Sequence, residues 1–252
     1  MKKVRNDLNI PSYSDISINI PELVDAENPG MSDAHNCTLI LTEGESVKKF
    51  SLLSFEVVGN KNWGVYPIRG KILNIQDASE SQISENKEIK AIEQALGLRH
   101  RKYESLVDLR EDLRYGKLMI MTDQDFDGSH IKGLIISFFA HFYPLLLEQS
   151  EFLQIFVTPI VKYTKNNNTK SLYTLPEYKD WKRQNSNGKG WTIKYYKSLG
   201  TITTDEAEEY FSDLNKHIKR FKQMDKEDHR LVEMAFTKKN ADKCKIWIRG
   251  IQ

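Results

Sequence analysis

Two short runs, "CTLILT" (37–42) and "KLMIMT" (117–122), are apolar or β-branched at nearly every position. An alternating strand leaves one face to water, whereas an unbroken apolar run must be covered on both faces. Each run has strand length, and each is followed by a turn signal and a helix-like segment. After the first comes "EGES" (43–46), where Gly44 permits a tight turn and Ser46 is a candidate helix cap. After the second, "GSHIKGLIISFFAHFYPLLL" (128–147) reads as a helix that breaks near Pro144. Buried strands alternating with helices predict an α/β fold built on a parallel sheet flanked by helices.

The remaining chain sorts around that core. Residues 1–36 read as a linker or N-terminal arm, rich in Pro, Ser, Asp and Asn and without a sustained period. "NWGVYPIRGKILN" (62–74) sets a Gly, a Pro and two cations among apolar residues, and 76–115 read as charged helix interrupted near Gly97. Further on, "IFVTPIVKY" (155–163), "SLYTL" (171–175) and "WTIKYY" (191–196) read as strands, the first two joined by the polar loop "TKNNNTK". Pro176 opens a helix. Thr203 and Glu206 form a capping box before a helical stripe of Ala207, Tyr210, Phe211, Leu214, Ile218 and Phe221. The chain thus divides into an arm (1–36), a first α/β unit (37–150) and a C-terminal α/β extension (151–252).

Composition removes several function classes. Lys and Arg total 37 against 35 Asp and Glu, a net charge of +2, so any nucleic-acid contact must come from local placement of cations. Cys37 and Cys244 fit no CxxC spacing, which argues against a zinc site or a disulfide framework. No apolar stretch has transmembrane length and "MKKVRNDLNI" has no secretory core, so a membrane or secreted role is not indicated.

The chemistry concentrates in "MIMTDQDFDG" (119–128), where Asp123, Asp125 and Asp127 alternate directly behind the second strand. Three readings compete. A calcium EF-hand loop opens in this way, but its twelfth position here is Leu134 where a bidentate Glu is needed, and a strand rather than a helix leads in. Helix capping needs one Asp, a role open to Asp127, and three like charges cost stability unless a cation sits among them. In the third reading the two apolar strands are neighbours, so that Glu43 and Asp123 converge at their carboxyl ends with Asp125 one pleat further on, a site for magnesium and a phosphate.

"LILTEGES" followed by "MIMTDQDFDGSHIKGL" resembles the TOPRIM domain, the acidic metal-binding fold of topoisomerases, primases and some nucleases. "GVYPIRGKILN" and "YYKSLGT" narrow the resemblance to eukaryotic-type (type IIA) DNA topoisomerase II, from about residue 37 onward. The resemblance implies a TOPRIM, Rossmann-like sheet and a division of labour at the site. Glu43 and Asp123 would hold a Mg2+ at the cleavage position, Asp123 and Asp125 a second Mg2+, with Asp127 in support; Mn2+ or Ca2+ could stand in. Glu43, Asp123 and Asp125 would be the catalytic acids. Arg69, Lys71, Asn74, Lys197 and Lys245 would contact double-stranded DNA.

The resemblance further implies a homodimeric, ATP-using enzyme whose ATPase and winged-helix domains, the latter with the nucleophilic tyrosine, find no match in these 252 residues. The expected compartment is the nucleus, or the cytoplasm or a viral factory for a viral source. On this reading the chain alone is half a catalytic site. A stand-alone TOPRIM nuclease or primase-like enzyme, and a non-catalytic subunit of a split topoisomerase, are the alternatives. Four departures from the family pattern stand out: Glu45 for Asp, Ser198 for Gly, Cys244 for Arg, and Phe126 for a polar residue, expected to point away from the metal.

Overall fold

The computed structural model describes residues 20–31, 33–196 and 198–250. The first apolar run forms β1 (Thr38–Glu43), and α1 (Gly44–Leu53) starts without a break in the chain. Gly44 makes this possible with a φ of 76°, a conformation that costs a side-chain-bearing residue energy. Ser46 lies inside α1 rather than capping it, because the helix begins two residues earlier. A short helix α2 (Phe55–Val58) leads to β2 (Trp63–Ile68), which pairs parallel with β1. That segment was not marked as a strand by its pattern; Pro67 is tolerated because β2 lies at the sheet edge.

The charged stretch then breaks into α3 (Glu80–Glu85), α4 (Lys87–Leu96) and α5 (Leu106–Asp112), and Gly97 ends α4 as expected. The second apolar run is β3 (Lys117–Met121), parallel to β1 on its other side, with Thr42 opposite Met121. Helix α6 (Phe126–Phe142) follows, then α7 (Pro144–Leu147) after the break at Pro144, and β4 (Leu153–Phe156) parallel to β3.

The covering predicted for both faces of the sheet is present. Leu39, Leu41, Leu118 and Ile120 face a core built with α4, α5 and α6 (Ile89, Ile92, Leu109, Leu134, Phe138). Ile40, Val65, Met119 and Met121 face the opposite core, with Val47 and Phe50 of α1. Each of these fully buried aliphatic side chains contributes about 1.5–3 kcal/mol of transfer free energy, so the register of the central strands is tightly held.

The second half departs from the sequence reading in three places. "IFVTPIVKY" is not one strand: β4 ends at Phe156, and β5 (Val161–Lys165) begins in a different sheet. Pro159 between them has no N–H to give a ladder. The loop "TKNNNTK" is a hairpin tip, where Asn166 and Asn167 take φ of 50° and 59°. Its second strand, β6, is therefore Asn168–Leu172 rather than 171–175. With β7 (Thr192–Tyr195) these strands make a three-stranded antiparallel sheet backed by α8 (Leu175–Gln184), whose N-cap is Thr174.

Third, the stripe expected to run as one helix to Phe221 is interrupted. Helix α9 (Thr204–Ser212) carries the predicted capping box and buries Ala207, Tyr210 and Phe211. Asp213 then leaves the helical region, α10 (Leu214–His217) makes one turn, and Ile218 opens β8 (Ile218–Arg220). His217 is pinned there, its Nδ1 2.8 Å from the Val157 carbonyl oxygen. Strand β8 pairs antiparallel with β4 and completes the order β2-β1-β3-β4-β8, so the sheet is mostly, not wholly, parallel. Helices α11 (Lys226–Phe236) and α12 (Ala241–Gly250) follow; Trp247 on α12 is 43% exposed.

Candidate functional site

Because β1 and β3 are parallel neighbours in register, their carboxyl ends lie side by side. Glu43 is the last residue of β1, and Asp123 stands two residues beyond β3. The Glu43 carboxylate accepts the Asp123 backbone N–H at 3.3 Å. This is the convergence that the strand-end argument predicts.

The three aspartates do not continue the pleat. The strand stops at Met121, and Asp125 is the N-cap of α6, its Oδ1 accepting the Gly128 N–H at 2.8 Å. Asp125, not Asp127, thus takes the capping role. Asp127 lies in the first turn of α6 and accepts Lys71 Nζ at 2.6 Å. Gly128 is required by close approach: a β-carbon there would run into the Asp123 carbonyl oxygen. The turn that carries the acids is therefore compressed against the start of its helix.

Electrostatics single out Glu43. Partial burial, then repulsion from Asp123, Asp125 and Asp127, push its carboxyl above the ordinary range, against the Asp123 N–H bond that lowers it. In contrast, the Lys71 ammonium holds Asp127 below the usual carboxylate value. Half-buried Lys132, two turns into α6, is drawn down by desolvation and drawn up by attraction to Asp125 and Glu43. No motif in the sequence marks Lys132. Its signal was a single cation inside the apolar run of α6, seven residues on from Asp125 and so on the same helix face.

A second contact was also missed. The Leu199 backbone N–H donates to Asp123 Oδ1 at 2.8 Å, so "KSLGT" from the C-terminal extension grips an acid of the first unit. Ser198 fits this role: its backbone is extended, with φ −148°, and its hydroxyl oxygen accepts the Gly200 N–H at 3.0 Å, capping the turn Leu199–Thr201. No glycine freedom is needed at that position. Lys197, expected beside the site, lies outside the described residues.

The other DNA-contact candidates are spread out. Arg69 forms an ion pair with Glu22 of the N-terminal arm. Asn74 donates to the Phe236 carbonyl oxygen at 2.7 Å and so ties the β2 side to the end of α11. Lys245 lies on α12, 3.1 Å from Asp242. Of the predicted set, Glu43 meets the Asp123 backbone, Asp125 and Asp127 follow on the same turn, and Lys71 is bonded to Asp127; Arg69 stands two residues from Lys71, and Asn74 and Lys245 belong to the α11–α12 side. His130 stacks on Phe236 with ring centres 6.2 Å apart. The basic group at 99–102 is an ion-paired surface, with Arg101 on Asp108 at 2.7 Å and His100 on Glu93 at 2.9 Å.

Among the described residues no three acidic, His or Cys side chains lie close enough to hold one metal ion between them. The donors nevertheless suit a hard divalent cation: carboxylate oxygens from two strand ends, with excess negative charge around Glu43. Glu43 and Asp123 would supply two ligands, leaving water or phosphate for the rest.

Comparison with known proteins agrees with this geometry. Residues 38–160 match the Toprim domain and 156–252 the C-terminal associated domain of TOPRIM. DNA topoisomerase 2 of Bombyx mori is 50% identical over 229 residues, 91% of this chain and 15% of the relative. DNA topoisomerase 2-alpha of Homo sapiens is 49% identical over the same shares. The crystal structure of the Plasmodium falciparum topoisomerase II DNA-binding, cleavage and re-ligation domain superposes with a TM-score of 0.85 at 45% identity, covering 92% of this chain and 32% of that one. The chain spans about 15% of the length of the curated relatives it matches.

Proposed function

We propose, for a chain that belongs to the eukaryotic-type DNA topoisomerase II family as its Toprim domain and the associated C-terminal domain, that it forms the magnesium-binding half of a DNA cleavage and religation site. The observation that carries this reading is the meeting of Glu43 and Asp123 across two parallel strand ends. Bound there, Mg2+ would stabilise negative charge on the oxygens of a scissile phosphate. Glu43 and Asp123 would hold that ion, and Asp123 with Asp125 a second. Asp125 can contribute one oxygen because its helix cap uses the other. Leu199 N–H fixes the Asp123 side chain, and Lys71 stands ready for a DNA phosphate next to Asp127. Repulsion from Asp123, Asp125 and Asp127, which raises the Glu43 carboxyl in the metal-free chain, is what a bound cation would relieve.

In the whole protein this half-site would be completed by a tyrosine on a winged-helix domain and driven by an ATPase domain. The assembly would be a homodimer that passes one duplex through another, in a nucleus or, for a viral source, a viral factory. No helix among the described residues is long and apolar enough to cross a membrane.

Calorimetric titration with Mg2+, with and without a duplex oligonucleotide, tests the reading. Weak binding that tightens when DNA is present is expected, since two carboxylates leave most of the coordination to water or phosphate. Tight, calcium-selective binding, or nicking of plasmid DNA by the chain on its own, would overturn it in favour of a calcium site or a stand-alone nuclease.

A further inference from the structure

Phe126 stands between Asp125 and Asp127 at the first position of α6, and its ring is 92% exposed. No other large apolar side chain among the described residues is as open to water. The fold does not use the ring: α6 packs through Ile131, Leu134, Ile135 and Phe138, and Asp125 supplies the cap. First helical turns favour acidic or small polar residues, so helix formation does not call for a phenyl group here either.

The neighbourhood indicates what would cover it. Lys71 is bonded to Asp127, the residue after Phe126, and the Glu43 carboxylate meets Asp123, three residues before it, at the strand ends. A duplex held at once by Lys71 and by a cation on Glu43 and Asp123 must pass the turn that presents Phe126. Phosphate has no use for a phenyl ring; a deoxyribose or the face of a base does, through apolar contact and stacking.

We propose that Phe126 lies against the sugar or base of a nucleotide beside the phosphate held at the acidic site, a contact that adds affinity without reading sequence. The proposal rests on the DNA-cleavage reading of the site and adds the ring as a positioning residue for the duplex. The carboxylates on either side cannot supply this contact, since they repel the backbone that the ring approaches.

The test is fluorescence anisotropy of a labelled duplex oligonucleotide with the full chain in Mg2+, across a salt series. Phe126→Ala should weaken binding by about five- to fiftyfold, as loss of an aromatic–base contact does, with an unchanged slope of log affinity against log salt. Lys71→Ala, which removes a phosphate contact, should weaken binding and reduce that slope by about 1. Phe126→Trp should keep the affinity, and its indole emission should change when DNA binds. Because the ring is exposed, thermal unfolding of Phe126→Ala should match that of the unaltered chain. If Lys71→Ala weakens binding while Phe126→Ala does not, the ring has no such role and the cleavage reading stands. If the unaltered chain does not bind duplex at all, both fail.

Discussion

A carboxylate placed among three others loses hydration and gains repulsion, and Glu43 is held in that position only because the sheet puts β1 beside β3. Its folded-state pKa lies above the unfolded value. Its contribution to stability is therefore full below the unfolded pKa and is lost as pH rises through the folded one. At neutral pH, Glu43→Gln should raise the melting temperature of the metal-free chain by about 1–3 °C, since a chain of this size gains roughly 2–4 °C per kcal/mol. That gain should vanish below pH 4, where both forms are neutral. The amide oxygen still accepts the Asp123 N–H, so the fold is kept. Asp123→Asn, which likewise keeps an acceptor for Leu199 N–H, should fold normally and lose the upward shift in melting temperature that Mg2+ gives the unaltered chain. An Asn variant that still responds fully to Mg2+ would remove Asp123 from the ligand set.

At the level of elements, the turn from β3 into α6 is where geometry is least forgiving. Gly128→Ala would drive a methyl group into the Asp123 carbonyl, and backbone cannot yield as a flexible side chain can. Overpacking of this kind costs about 1–3 kcal/mol, so a drop in thermal stability, together with a weakened Mg2+ response, is the expected result in a melting series. How far such features could be read from sequence follows from what each element depends on. The unbroken apolar runs identified β1 and β3 because burial on both faces leaves an unmistakable composition. The meeting of Glu43 and Asp123 followed from the rule for parallel strand ends. The edge strand β2 was missed because Gly64 and Pro67 mask it, and the α9 stripe was overextended because Ile218 suits a helix face and a strand equally well. Phe126 and Asp125 were read on a pleat since nothing in "DQDFDG" says that the strand ends at Met121. The Leu199 N–H on Asp123 spans 76 residues of chain and uses a backbone group, which no side-chain motif can announce.

Across the whole molecule, the small sheet β6-β5-β7 is joined to α9 through Glu206, which receives Lys194 Nζ at 2.8 Å and the Tyr196 hydroxyl. Burial alone would raise the Glu206 carboxyl, but these bonds and the Thr203 N–H bring it down to about 2. A depressed pKa means stability that is present above the unfolded value and is lost as pH falls through the folded one. Acid titration between about pH 4.5 and 2 should loosen this junction, read as a change in emission from Trp181 and Trp191, and Glu206→Gln should abolish that step. The antiparallel strand β8 carries a further consequence. It comes from the C-terminal domain yet lies along the last parallel strand, β4. A Toprim unit excised at residue 160 would leave the hydrogen-bonding groups of β4 bare along an open margin, ready to recruit strands from other molecules. Such a truncated piece should be recovered as oligomers or inclusion bodies, which makes the two family domains covalent neighbours that cannot be purified apart.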